Sequence, residues 1–243
     1  MAGEKSCVTL LSGGMDSATL LALATHSFNK VFALTLIYAQ RHDREVESAK
    51  RVAEFYGVPH KIMDISNINA LLQGSALTSS EIDVPKGHYA EENMKLTVVP
   101  ARNTILLSLA AGFAISLGYT HVSFGAHAGD HAIYPDCRPE FVDAMQNVFC
   151  KFHFWPIGIW APFLDYTKGG IINAGKPLNV PYELTWTCYD PQPNGLACGK
   201  CGSCTERIEA FYENRLIDPV QYVGGWDVAL KNALEVLEKG PSR

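Results

Sequence analysis

Six residues near the start of the chain, Ser12-Gly13-Gly14-Met15-Asp16-Ser17, sit between a short apolar run and an alanine- and leucine-rich stretch. That order (strand, glycine turn, helix) narrows the available folds more than any other feature. Val8-Thr9-Leu10-Leu11 is apolar and partly β-branched, which suits a buried parallel strand. The residues that follow the turn, to about Ala24, have helical composition. Adjacent glycines let backbone N–H groups turn inward as an anion nest, beside a helix N-terminus whose dipole favours negative charge. Ser12 and Ser17 add hydroxyl donors, and Asp16 can hold Mg²⁺ bound to pyrophosphate. The turn lacks the Lys-Ser/Thr ending of a Walker A loop and the spacing of a G-x-G-x-x-G fingerprint. A ligand-free tight turn between strand and helix is the plainer alternative.

The rhythm continues along the chain. Residues 31–38 read as a second buried strand. Residues 43–56 read as an amphipathic helix with Val46, Ala49, Val52, Ala53 and Tyr56 on one face and Gly57 as its stop. Residues 60–65 read as a strand, 102–117 as a helix, 121–125 as a strand, and 139–149 as a helix with Pro139 in its first turn. Strands alternating with helices predict an α/β fold, a doubly wound parallel sheet covered on both faces. Ligands in such sheets bind beyond the carboxyl ends of the strands, where residues 12–17, 38–42 and 125–130 fall. Residues 66–96 break the period and read as a lid, a binding loop or a disordered segment. From Trp155 onward Gly and Pro accumulate. This predicts a main α/β domain over 1–154 and a smaller C-terminal region over 155–243, with a last helix near 227–237.

Cys188, Cys198, Cys201 and Cys204 form C-x9-C-x2-C-x2-C. Two-residue gaps let successive thiolates converge on one ion, and four thiolates make a closed structural zinc site. An iron–sulfur cluster uses the same donors. The other three of the seven cysteines are isolated; Cys7 and Cys150 read as core and Cys137 as packing. The N-terminus shows no signal peptide, and the apolar stretch 105–117 is too short to span a membrane. The cytosol is therefore the expected compartment. With a net charge of -5, no positive field favours nucleic acid. Small molecules are the expected partners, with neither nucleic acid nor membrane among them.

The motif Ser12–Ser17 resembles the PP-loop of ATP pyrophosphatases. Taken with Tyr38-Ala-Gln-Arg-His42, Val99-Pro-Ala-Arg-Asn103, the run from Tyr134 to Phe141, the run from Pro181 to Tyr189 and the cysteines, the chain closely resembles the QueC family of 7-cyano-7-deazaguanine synthases. The likeness covers nearly its whole length. It implies an ATP-dependent carbon–nitrogen ligase acting on 7-carboxy-7-deazaguanine and ammonia, with Zn²⁺ and Mg²⁺, often as a homodimer. Ala39 and Ala101 stand where the family commonly has glycine. Residues 151–160 are unusually aromatic, and Gly169, Gly170 and Pro177 fall where helix formers are expected. Other PP-loop enzymes that amidate or thiolate, a QueC-like protein of an antiviral island, and a zinc-braced nucleotide sensor stay open as readings.

The resemblance implies that nucleotide is held by Leu11, Ser12, Gly13, Gly14, Met15, Asp16, Ser17, Ala18, Thr19, Leu20 and Leu21, together with Tyr38, Arg102 and Asn103. Asp16, Ser17, Arg102, Asp130 and His131 are the candidate catalytic residues. The guanine-like edge offers N–H donors, so an acidic acceptor is expected, with Asp130, Asp136 and Glu183 as candidates. Tyr134 and Trp186 can stack on the base, Arg102 and Arg138 suit phosphate or carboxylate, and His42 and His131 are the candidates to move protons. Each has a blander reading as a core or surface residue.

Overall fold

Strand β1 (Ser6–Leu10) lies at the middle of a five-stranded sheet of order β3-β2-β1-β4-β5. The structure is a computed structural model and describes residues 4–38, 44–72, 74–78, 92–151 and 153–239. The other strands are β2 (Lys30–Ile37), β3 (His60–Asp64), β4 (His121–Ser123) and β5 (Gly158–Trp160), and every pairing is parallel. Cys7, Val8 and Thr9 of β1 are fully buried, as expected for a strand covered on both faces.

Successive residues point to opposite faces. Val8 and Leu34 pack with Leu107, Ala110, Ala111 and Phe149, from α3 (Arg102–Ser116) and α4 (Pro139–Phe149). Ala33 packs on the other face with Met15, Ala18, Ala49 and Val52, from α1 (Met15–Ser27) and α2 (Arg44–Phe55). The chain winds outward from β1 to β3, then crosses to β4 on the other side of β1. A crevice opens where the winding reverses. The doubly wound α/β sheet expected from the sequence is the fold observed.

Three elements escaped the sequence: β5, α5 (Lys168–Gly175) and α6 (Gly202–Glu213). Thr167 caps α5 by accepting from the Gly170 N–H at 3.1 Å. A side chain at Gly169 would collide with the Glu213 carboxylate, and one at Gly175 with the Tyr182 hydroxyl. Gly169, one of the two glycines that argued against a helix, is thus among the residues that let α5 lie close to its neighbours. The expected boundary at residue 154 falls ahead of β5, the sheet's fifth strand. The cysteines sit farther on, in a cluster with Ile208, Tyr222, Ala229 and Ala233 that joins α6 to α7 (Gly225–Lys239).

Met94–Ser116 is apolar and long enough by composition to cross a membrane. Its regular helix begins only at Arg102, and Leu107, Ala110, Ala111 and Ala114 bury one side against the sheet. Ala101, just before that helix, has φ 53°. This left-handed conformation explains a glycine preference there, and it costs alanine about 1 kcal/mol. Cys7 is buried as expected, but Cys150 is exposed: it follows the last turn of α4, past the buried Phe149. Phe154 and Trp155, in the aromatic segment, are also exposed.

Candidate active site

The glycine turn is clamped from two sides. Gly13 has φ +93°, and a side chain there would strike the Glu45 carbonyl oxygen and the Ala49 amide of α2. The Trp186 N–H donates to the Gly13 carbonyl at 2.9 Å. Inside the turn, the Ser12 and Gly13 N–H groups both donate to Ser17 Oγ at 3.2 Å, and Ser12 Oγ lies 3.0 Å from it. The N–H groups therefore converge on one oxygen at the N-terminus of α1, the geometry of an anion nest.

Asp16 leads into a buried charge cluster. Its Oδ2 lies 3.4 Å from Lys168 Nζ and 3.8 Å from His127 Nε2. Lys168 is bonded to Glu206 Oε2 at 2.6 Å, and His127 Nε2 lies 3.5 Å from Asp130 Oδ2. His127 Nδ1 accepts from the Gly129 N–H, which puts the ring proton on Nε2, facing both aspartates. Burial opposes charge on Lys168, but Asp16, Glu206 and Asp130 outweigh it and hold its pKa above the ordinary lysine value. One ammonium against three carboxylates leaves the cluster short of positive charge. Asp16 Oδ1 is moreover buried without a hydrogen-bond partner among the described residues. Hard oxygen donors with excess negative charge fit Mg²⁺.

The cleft between β1 and β4 is lined by Leu11, Ser12, Gly14, Asp16, Ser17, Tyr38, Arg102, Asn103, Asp130 and Trp186 among the expected residues. Gly13 lies behind the turn, while Met15, Ala18, Thr19, Leu20 and Leu21 form the buried body of α1. Tyr134 is buried beneath Arg102, with its hydroxyl bonded to Thr97 and its ring 5.6 Å from the guanidinium. Asp136 Oδ2 accepts from the Asn103 N–H at 3.0 Å, so it caps α3. Arg138 donates to the His131 carbonyl at 2.8 Å, outside the cleft lining. Glu183 is exposed on a separate groove with Arg44 and Arg51. His42 lies outside the described residues. Sequence reasoning missed Glu45, Tyr189 and Lys168 in the lining, and His127 and Glu206 behind it. For His127 there was a signal, since it falls in the strand-end segment 125–130. Cys137 also lines the cleft, where burial, followed by the Asp130 charge, pushes its thiol pKa up and away from a thiolate.

The four sulfurs of Cys188, Cys198, Cys201 and Cys204 are buried within 4.8 Å of one another. The Cys198 N–H points at Cys188 Sγ (3.2 Å), and the Lys200 and Cys201 N–H groups point at Cys198 Sγ (3.4 and 3.3 Å). Soft donors in a compact set of four, with amides aimed at sulfur, fit a closed tetrahedral zinc site. Arg207, three residues past Cys204, is fully buried and bonded to both Asp218 oxygens (2.6 and 2.9 Å), to Thr185 Oγ1 and to the Tyr182 carbonyl. It ties the segment carrying Trp186 to α6, and so to the cysteines.

A model of the family described as Queuosine biosynthesis protein QueC matches residues 6–215. The chain belongs to the QueC family. Among QueC relatives, the 7-cyano-7-deazaguanine synthase of Psychromonas ingrahamii is 52% identical over 219 residues, covering 90% of this chain and 98% of that protein. That of Hahella chejuensis is 53% identical over 215 residues, covering 88% and 92%. Likeness to solved structures is lower. The NH3-dependent NAD synthetase of Campylobacter jejuni aligns over 100% of this chain and 90% of its own at 17% identity, with a TM-score of 0.46.

Proposed function

We propose that this QueC-family protein is the ATP-dependent carbon–nitrogen ligase that makes 7-cyano-7-deazaguanine from 7-carboxy-7-deazaguanine and ammonia. The observation that carries the reading is the donor ring at Ser12–Ser17 set against the Asp16–Lys168 pair, in a chain half identical to synthases of that name. Making a nitrile from a carboxylate removes two waters, and each removal needs a leaving group. The substrate carboxylate oxygen attacks the α-phosphorus of ATP and expels pyrophosphate. Ammonia then attacks the acyl carbon, AMP leaves, and an amide forms. The amide oxygen attacks a second ATP; loss of the amide protons and of AMP leaves the nitrile.

The chain's own residues serve this at stated atoms. The Ser12 and Gly13 N–H groups and Lys168 Nζ take up the charge that develops on departing pyrophosphate. Asp16 and Asp130 would hold Mg²⁺, which supplies charge neutralisation on the phosphates. His127 holds both carboxylates toward the cleft. Arg102 suits the substrate carboxylate. The cytosol and a homodimer belong to the same proposal, and sedimentation of the purified protein tests the dimer.

Purified protein given 7-carboxy-7-deazaguanine, ammonia and Mg-ATP should yield the nitrile by mass spectrometry, with two AMP per nitrile. Accumulation of ADP and phosphate without AMP would falsify adenylation.

A further inference from the structure

Among the described residues, the carboxylates in and just behind the cleft face charged partners with one exception. Asp16 faces Lys168 and His127, Asp130 faces His127, and Glu206 is bonded to Lys168. Two of the three acidic residues that the sequence offered for the guanine-like edge are placed elsewhere, Asp136 capping α3 and Glu183 on an exposed turn. Glu45 lines the cleft from the first turn of α2, is partly buried, and its carboxylate makes no hydrogen bond or ion pair among the described residues. Its position is fixed. Its main-chain oxygen abuts Gly13, whose own carbonyl is bonded to Trp186, so Glu45, the phosphate turn and Trp186 are locked in one register.

We infer that the Glu45 carboxylate is the acceptor for the donor edge of the heterocycle, taking parallel N–H bonds from the ring nitrogen and the exocyclic amine of 7-carboxy-7-deazaguanine. The inference rests on the ligase reading and names the recognition residue of the same site. Two adjacent N–H donors on a flat ring match a carboxylate as a guanidinium does. The surroundings suit a flat ring: Tyr38, Trp186 and Tyr189 supply aromatic walls, and Leu77 and Leu106 apolar ones. An adenine edge, which pairs one amine with a ring lone pair, meets repulsion at the same carboxylate. Glu45 thus keeps the two heterocycles of the reaction in separate seats.

The electrostatics agree with an acceptor awaiting donors. Burial raises the Glu45 carboxyl to about 7, and Arg102 pulls it back only in part. Among the described residues, the charged and titratable groups acting on it are Arg102 from α3 and the phenol of Tyr189. Arg44 on its own helix is turned away to the Gly195 carbonyl and the Trp186 ring. Asp16 and Lys168, toward the phosphate end, are paired with each other. Two N–H donors favour the ionised form, so binding strengthens as pH rises through 7.

Calorimetric titration with 7-carboxy-7-deazaguanine alone, and separately with Mg-ATP, tests this on the wild type, Glu45→Gln and Glu45→Asp. Glu45→Gln should weaken the deazaguanine roughly ten- to a hundredfold, since a charged hydrogen-bond pair is lost. Its ATP affinity should stay within about threefold, which also reports that the variant is folded. Glu45→Asp should fall between. Wild-type affinity for the deazaguanine should drop about tenfold from pH 8 to pH 6, and Glu45→Gln should not follow. Unchanged deazaguanine affinity in a folded Glu45→Gln overturns the assignment while leaving the ligase reading intact, even if turnover falls. A wild type that binds Mg-ATP but no deazaguanine overturns both.

Discussion

The two ends of the cleft are built on opposite plans. At the phosphate end, Asp16, Lys168, Glu206, His127 and Asp130 answer one another within 3.8 Å. At the heterocycle end, the Glu45 carboxylate has no hydrogen-bond partner among the described residues and stands among aromatic walls. A reaction that expels pyrophosphate gains from charges already oriented, because nothing has to reorganise when the leaving group forms. A site that must choose one ring gains from an acceptor left unsatisfied, because a ring without matching donors leaves it so. Rate and selectivity are therefore assigned to different ends of one crevice.

The segment from Thr185 through α6 serves both ends, since it carries Trp186 and Tyr189 on either side of Cys188, and Glu206 two residues past Cys204. The largest expected effect follows from this. Chelating zinc, or Cys198→Ser, should cost several kcal/mol of folding free energy. It should lower the melting temperature together with zinc content and abolish binding at both ends. A zinc-free protein that keeps its melting temperature, or metal analysis that finds iron, would break the claim of a shared scaffold.

Lys168→Met cuts one end only. It leaves Asp16 and Glu206 without their cation, and kcat should fall roughly a hundred- to a thousandfold, while calorimetry finds deazaguanine affinity nearly unchanged. Equal loss of both would mean that the ends are not separable.

The smallest effect concerns stability. Glu45 has its carboxyl raised by burial from 4.5 to about 7. The folded state therefore keeps a proton that the unfolded chain releases across that interval, and stability falls as pH rises through it. Glu45→Gln should gain up to about 3 kcal/mol at pH 8 and nothing at pH 4. Chemical denaturation at the two pH values checks this. A gain in stability with a loss of recognition would mark Glu45 as a site where fold and function conflict.

What could be read from the sequence was whatever is local. The turn at Ser12–Ser17 and the spacing of Cys188, Cys198, Cys201 and Cys204 state their chemistry within a few residues, and the alternation of strand and helix gave the sheet. Lys168 was not legible because its importance lies in reaching Asp16 and Glu206 from a helix that two glycines disguise. Asp136 was read as a ligand for the base because a carboxylate in a polar run looks alike whether it faces a substrate or the Asn103 amide. Glu45 was hidden by its setting. It opens an amphipathic helix, where an acidic first turn has a sufficient explanation in the helix dipole.

The hydrogen bond between the Thr19 and Tyr182 hydroxyls joins residues 163 positions apart, and the clamp of Trp186 on Gly13 is of similar reach. During synthesis the phosphate turn therefore emerges long before the walls that hold it. At ordinary elongation rates the interval is on the order of ten to thirty seconds. Through that time the ribosome-bound chain has made the residues of the turn but lacks Trp186, Lys168, Glu206 and the cysteines that complete the site around it.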